Sequence, residues 1–249
     1  GCQVIVIELL EPLAIRRAVA FASAIYEGRI LLEGVEARLA RHPTDIQHSL
    51  GEGIVPVYTD PDGELLSSLN PDVVVDARLA KRNLGTRLTD APIVIGLGPG
   101  FEAGKDVHAV VETMRGHNLG RVSYQGSAEP DTHVPGLVLG HGRDRVIWAP
   151  CGGHLTGLAA IGEQIKAEQT IAMVAQQTVR ASIPGVLRGI LHDGLVVHKG
   201  QKVGDIDPRG VREHCFSISD KARAIGGGVL EAVLYLRKHL TSNSTFAKL

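Results

Sequence analysis

Three cations, Arg78, Lys81 and Arg82, follow a Val-rich run ending at Asp76, and Asn83 stands beside them. Ligands bind open α/β sheets at the carboxyl edge of parallel strands. Guanidinium and ammonium groups placed there suit an anion such as phosphate or pyrophosphate. A second candidate is Gly96-Leu97-Gly98-Pro99-Gly100-Phe101, which follows an apolar run and whose backbone N–H groups can converge on an anion. It is not a nucleotide-triphosphate loop, because Pro99 stands six residues before Lys105 and Asp106 follows that lysine. The stretch Glu112 to Arg121 packs Arg115, His117, Asn118 and Arg121 between two β-like runs, a density unusual for a plain hairpin. Glu8 ends the first strand-like run, where dinucleotide-binding sheets place the acid that receives ribose hydroxyls. The expected anion or cofactor contacts are therefore Glu8, Lys81, Arg82, Asn83, Gly96, Gly98, Gly100, Arg115, His117 and Asn118. Each has a plain structural alternative: a solvated loop, a tight turn or a strand-end acid. No catalytic residue emerges, since no Gly-x-Ser-x-Gly exists. No His or Cys lies at ligand spacing from His117, so no metal is expected. Asp205 and Asp207, in Gly204 to Gly210, read as turn-fixing acids.

The elements that must position these groups alternate in the first half. A strand is expected at Val4–Glu8. A helix-like stretch then runs from Pro12 to about Tyr26, with Arg16 and Arg17 exposed. Arg29–Leu32 and Val35–Leu39 read as a hairpin around Glu33-Gly34. A short helix over Thr44–Leu50 is capped by Thr44. Strands follow at Ile54–Tyr58, Val73–Asp76 and Ile93–Leu97. Their near-continuous apolar runs predict burial on both faces and a Rossmann-like parallel sheet.

The second half repeats itself. A shift of 32 residues, the step from Ala149 to Ala181, also aligns Gly153 with Gly185, Leu155 with Leu187 and Gly162 with Gly194. It further aligns Ile165 with Val197, Gln169 with Gln201 and Ile171 with Val203. Each unit is too small to bury its apolar face alone, so two must interlock. The pair, with its turn Ala149-Pro150-Cys151-Gly152-Gly153, resembles the biotinyl/lipoyl-like barrel-sandwich hybrid fold. Carrier domains of that kind hold the modified lysine seven residues before the second such turn, and here Val174 stands there. No biotin or lipoyl attachment is expected. A helix is expected over Asp220–His239, with Ala224, Val229, Ala232, Val233 and Leu236 on one face. Gly226-Gly227-Gly228 inside it costs helix stability and implies close packing or a break. Thr241–Leu249 reads as a frayed polar tail.

Composition narrows the field. The chain has 249 residues, with 26 Lys+Arg against 27 Asp+Glu and only 4% aromatics. That balance argues against nucleic-acid partners. Three scattered cysteines suit a reducing, cytoplasmic setting. No apolar run is long enough to span a membrane. The chain begins with Gly inside a strand-like run, as if its own beginning were missing. The expected organisation is a Rossmann-like α/β domain over 1–126, a barrel-sandwich domain over 143–210, and a C-terminal helix over 211–240 packed back on the first domain.

The motifs Ala80-Lys81-Arg82-Asn83, Gly96 to Phe101, Arg115 to Arg121, Gly204 to Gly210 and Ser219 to Ile225 resemble the YqeB-type accessory proteins of selenium-dependent molybdenum hydroxylases. The resemblance runs from about Val4 to Leu236. It implies a maturation factor whose partner is a xanthine-dehydrogenase-type apoenzyme or its assembly machinery. The ligand is then a phosphate-bearing small molecule, either NAD(P) or a molybdopterin nucleotide; a homo-oligomer is also compatible. The family's usual opening, a strand and a Gly-x-Gly-Asp-like turn before a helix, has no counterpart here, which leaves any dinucleotide site incomplete. An NAD(P)-dependent oxidoreductase and a non-catalytic docking module are the alternatives.

Overall fold

The computed structural model describes residues 2–246. Sixteen strands form four four-stranded sheets among them. The first sheet joins β1 (Val6–Glu8), β2 (Arg29–Leu32), β3 (Val35–Ala40) and β4 (Val55–Thr59) in the order β1-β4-β3-β2. The Glu33-Gly34 hairpin forms as expected. The second sheet runs β5 (Val73–Asp76), β6 (Ile93–Leu97), β7 (Ala109–Val111) and β8 (Val122–Ser123) in chain order. Its first three strands are parallel and β8 is antiparallel. All five residues of β6 are buried, as its unbroken apolar run requires.

Two compact units result. One holds the residues up to Gly63 together with Val134–Ile218; the other holds Glu64–His133 together with the residues from Ser219 on. The strands expected in one parallel sheet are thus split between two mixed sheets in separate units. Segment 1–126 contributes to both. The parallel pairings β1–β4 and β3–β4 close one sheet, and the chain leaves it after β4.

The 32-residue repeat is a structural duplication. β9 (Val146–Trp148), β10 (Gly153–Gly157), β11 (Gln164–Ile165) and β12 (Thr170–Val174) recur as β13 (Gln177–Arg180), β14 (Gly185–Ile190), β15 (Val196–Val197) and β16 (Lys202–Asp207). The copies exchange strands, giving sheets β13-β12-β10-β15 and β11-β14-β16-β9. Equivalent hydrogen bonds recur too. The Ala149 N–H donates to Gln201 O and the Ala181 N–H to Gln169 O, at 2.9 and 3.0 Å. Gly162 and Gly194 both adopt positive φ, at 89° and 86°. The aligned Leu155, Leu187, Ile165, Val197, Ile171 and Val203 are all buried in one core between the sheets. Neither copy could enclose that core alone.

Three expectations are corrected locally. The stretch from Pro12 to Tyr26 is not one helix. It breaks into 3-10 turns at Arg17–Val19 and Phe21–Ser23 and a single turn α1 (Ala24–Glu27), with Ala20 extended. Arg16 and Arg17 are not solvated. Arg16 Nη2 donates to His214 O at 2.9 Å, and Arg17 Nε donates to Ile190 O at 3.2 Å, so the turns are shaped by what they dock against. Helix α2 (Pro43–Gly51) is entered through His42 rather than Thr44. There the Asp45 carboxylate accepts the Arg41 and His42 N–H groups, which lowers its pKa.

After the short α3 (Leu65–Leu69), the remaining helix is α4 (Asp220–Phe246). It extends past His239, so Thr241 to Phe246 is helical, while 247–249 lie outside the described residues. Ile225, Val229, Ala232, Val233 and Leu236 of α4 pack on Ile93, Ile95, Ala109 and Val111. The triple glycine does not break it. A Cβ on Gly228 would lie 2.2 Å from Gly120 O, whereas Gly226 and Gly227 meet nothing within 4 Å.

Candidate functional site

The loop after β5 is built around Asp76, whose side chain is only 4% exposed. Its carboxylate accepts bonds from Arg78 N (3.1 Å), Arg78 Nη2 (2.5 Å) and Thr86 Oγ1 (2.6 Å). Arg78 Nη2 also donates to Thr86 Oγ1 at 2.9 Å. Burial alone raises the Asp76 pKa, but the bonds from Arg78 and Thr86 outweigh it and hold the carboxyl below the usual range. Asn83 is part of the scaffold. Its Oδ1 accepts the Gly85 and Thr86 N–H groups, and its Nδ2 donates to Thr86 O at 2.8 Å. Lys81 and Arg82 are exposed and have no ion-pair partner among the described residues.

The glycine loop lies directly against this segment. A Cβ on Gly100 would stand 2.6 Å from the Arg82 backbone N and Cα, and the Gly100 φ is +105°. The loop and the Lys81–Asn83 segment therefore meet at the carboxyl ends of the parallel strands β5 and β6, as the sequence predicts. The glycines themselves act mainly by their small size. Gly96 makes room for the Phe101 ring, and Gly98 for Thr113 Oγ1. The Gly98 N–H donates to Val111 O at 2.8 Å and so is already used.

The Glu112–Arg121 stretch is held by a different device. Glu112 is buried, and its Oε1 accepts the Thr113 and Met114 N–H groups at 2.7 and 2.6 Å while its Oε2 accepts the Glu129 N–H at 2.7 Å. A cavity of about 130 Å³ beside it is lined by Asn118, Arg121, Ser123 and Ser127 among others. Asn118 Nδ2 donates to Glu129 Oε1 at 3.0 Å, and His117 is exposed. Arg115 forms a two-pronged pair with Asp220, the first residue of α4, at 2.7 and 2.9 Å. Both partners are well exposed, at 43% and 72%, so the pair contributes little, about 0–1 kcal/mol. Glu8 ends β1 in the other compact unit, where its Oε2 accepts the Leu9 N–H at 3.1 Å.

One cluster escaped the sequence reading. Asp205 and Asp207 lie in the strand β16, and their carboxylates are nearly or wholly buried. Asp207, the last residue of the strand, also fixes the turn that follows, as the sequence predicts, its Oδ1 accepting the Arg209 N–H at 3.1 Å, whereas Asp205 lies within the strand. Arg145 Nη1 donates to Asp205 at 2.6 Å, and Arg209 Nη2 to Asp207 at 2.6 Å. Arg188 on the neighbouring β14 lies 3.6 Å from Asp207. Burial raises the Asp207 pKa, and the Arg209 bonds more than reverse this. Burial lowers the Lys202 pKa, with Arg145 and Arg188 adding to it against the pull of Asp205. Burial pushes the Cys215 thiol up, while Arg16 and Arg188 oppose it. Beside the cluster, the 12–19 and 211–218 segments dock on β14, where Arg17 Nε donates to Ile190 O and Cys215 Sγ to Leu187 O, and on each other through Arg16 and His214 O. The sequence signal for it is the short alternation Asp205-Ile206-Asp207, with Ile206 in the core; a register shift between Lys202 and Gly204 lets Val203 face the core as well.

Among the described residues no group of three or more His, Cys, Asp or Glu is placed to hold a metal. No described helix is long and apolar enough to cross a membrane.

These features define a mixed α/β chain of two compact units, with a duplicated half-barrel and a C-terminal helix. No family model matches it. The chain is 50% identical over 236 residues to "Uncharacterized protein YqeB" of Escherichia coli (strain K12), covering 95% of this chain and 44% of that protein. It therefore spans less than half the length of that curated relative. Two solved structures show weak likeness. The product-bound ectoine utilization protein EutE (DoeB) from Ruegeria pomeroyi is 11% identical over 82% of this chain and 84% of its own, with a TM-score of 0.28. An aspartoacylase family protein from Mesorhizobium loti is 8% identical over 33% and 27%, with a TM-score of 0.25.

Proposed function

We propose that this chain is an accessory protein for the maturation of a selenium-dependent molybdenum hydroxylase of the xanthine-dehydrogenase type. In this reading it binds a phosphate-bearing cofactor or nucleotide at the Lys81–Arg82 segment. The motif resemblance is what supports the accessory role, and the 50% identity to "Uncharacterized protein YqeB" agrees with that resemblance without adding a function. The observation that carries the ligand reading is the seating of Gly100 on the Arg82 backbone, which sets two unpaired cations beside a glycine turn at the carboxyl edge of β5 and β6. The parallel run β5-β6-β7 supports reading that unit as Rossmann-like, and the interlocked duplication supports reading β9–β16 as a barrel-sandwich hybrid.

The test is calorimetric titration of pyrophosphate, nicotinamide nucleotides and molybdopterin nucleotides into the protein at several salt concentrations. A phosphate-bearing ligand should bind, and more weakly as salt rises. Arg82→Ala should cost ~1.5–3 kcal/mol of binding if its charged hydrogen bond is made and desolvated. Arg82→Lys should restore only part, because Lys lacks the two-pronged contact. Unchanged affinity in Arg82→Ala would overturn the ligand site.

A further inference from the structure

We infer that Asp76 is the positioning residue of this site, holding Lys81 and Arg82 in place for a phosphate or pyrophosphate group through Arg78 and Thr86. The inference rests on the ligand reading above and deepens it.

The backbone between the two ends of this loop is strained. Leu79 and Lys81 both adopt left-handed conformations, with φ of +55° and +64°. Side-chain-bearing residues persist there only where the surroundings over-determine them. Asp76 supplies that constraint. Its buried carboxylate bonds Arg78 at one end of the loop and Thr86 at the other, and Arg78 closes the triangle onto Thr86. Asn83 then fixes the turn to Thr86. Gly100 packs beneath Arg82. Between these ties the side chains of Leu79 to Arg82, and that of Leu84, are exposed. Only the carboxylate end of the Asp76–Arg78 pair is buried, the Arg78 side chain being about half exposed. Such a pair is weak as a source of stability, since dehydrating the carboxylate offsets much of the attraction. Its recognised use is to specify one conformation, and here that conformation presents the two cations. A ligand meeting a preformed loop is spared the entropy of ordering it.

Asp76 has no bond to Lys81 or Arg82, so its effect on binding is indirect and separable. Pyrophosphate affinity is measured for the wild type, Arg82→Ala, Asp76→Asn and Thr86→Val, together with hydrogen exchange and thermal midpoints. The expected result is that Asp76→Asn loses about tenfold or more in affinity. Exchange should quicken over residues 79–85 while β6 stays protected, a pattern that a general loss of folding would not produce. Thr86→Val, which keeps the Asp76–Arg78 pair, should lose affinity by a smaller factor. It decides the matter if Asp76→Asn does not fold. Wild-type affinity in Asp76→Asn, or in Thr86→Val in that case, overturns the inference while leaving the ligand site standing. No pyrophosphate binding by the wild type, or none lost in Arg82→Ala, overturns both.

Discussion

Three consecutive glycines in α4 should respond in opposite directions to the same substitution. Glycine in an exposed helix interior costs ~1 kcal/mol relative to alanine. Gly226 and Gly227 are exposed, with nothing within 4 Å of an added Cβ. Gly226→Ala and Gly227→Ala should therefore each stabilise by about 1 kcal/mol. At Gly228 the added carbon would lie 2.2 Å from Gly120 O and 2.8 Å from Val111 Cγ1. Carbon–oxygen contacts are comfortable near ~3.3 Å, so the helix must retreat by about 1 Å or the Gly120 turn must move. The Gly120 turn has little freedom, because its own Cβ position lies 2.5 Å from Ala224 O. Overpacking of this kind costs ~1–3 kcal/mol or more and exceeds the propensity gain. Thermal unfolding followed by circular dichroism reads the difference. At roughly 2–4 °C per kcal/mol for a chain of this size, Gly227→Ala should raise the midpoint by about 2–4 °C, and Gly228→Ala, with the propensity gain subtracted from the overpacking cost, should lower it by up to about 8 °C. A Gly228→Ala midpoint at or above the wild-type value, or a Gly227→Ala protein as damaged as Gly228→Ala, would refute the packing argument.

Acid should destabilise the chain through its buried carboxylates. Asp76 and Asp207 have pKa values depressed in the folded state, so their contribution is full above the unfolded value near ~3.9 and is lost as pH falls through the folded values. Urea midpoints should hold from about pH 7 to 5 and drop below about pH 4, and Asp207→Asn should flatten the drop; a wild-type curve level down to about pH 3 counts against these pairs. The barrel should carry no biotinyl or lipoyl group, since Val174 at the carrier position is a buried strand residue without an amine. Intact mass after expression in a cell with active ligases checks this, and an increase of either group's size contradicts it.

Local pattern and duplication were legible in the residues. The β5 and β6 boundaries, the Glu33-Gly34 hairpin and the 32-residue repeat follow from apolar runs, turn chemistry and recurrence, which depend on neighbours along the chain. The Lys81–Arg82 segment and the Gly96–Gly100 loop could be placed on one edge because parallel strands share their direction. Partners distant in sequence were not legible. The same Arg that reads as solvated becomes an anchor when a sheet arrives beside it, as Arg16 and Arg17 show. Asp207 is the turn residue its sequence suggests, bonded to Arg209 two residues on, but Asp205 is instead paired with Arg145, ~60 residues away along the chain, which no local rule encodes. Asn83 and Arg115 carried the right chemistry for an anion, yet one is spent on the loop backbone and the other on Asp220. Three identical glycines differ only in what stands across from them. Residue type and spacing determine which groups a segment can offer, and tertiary packing decides which of those groups are already satisfied, because a hydrogen bond or a steric contact depends on distance in space and not along the chain.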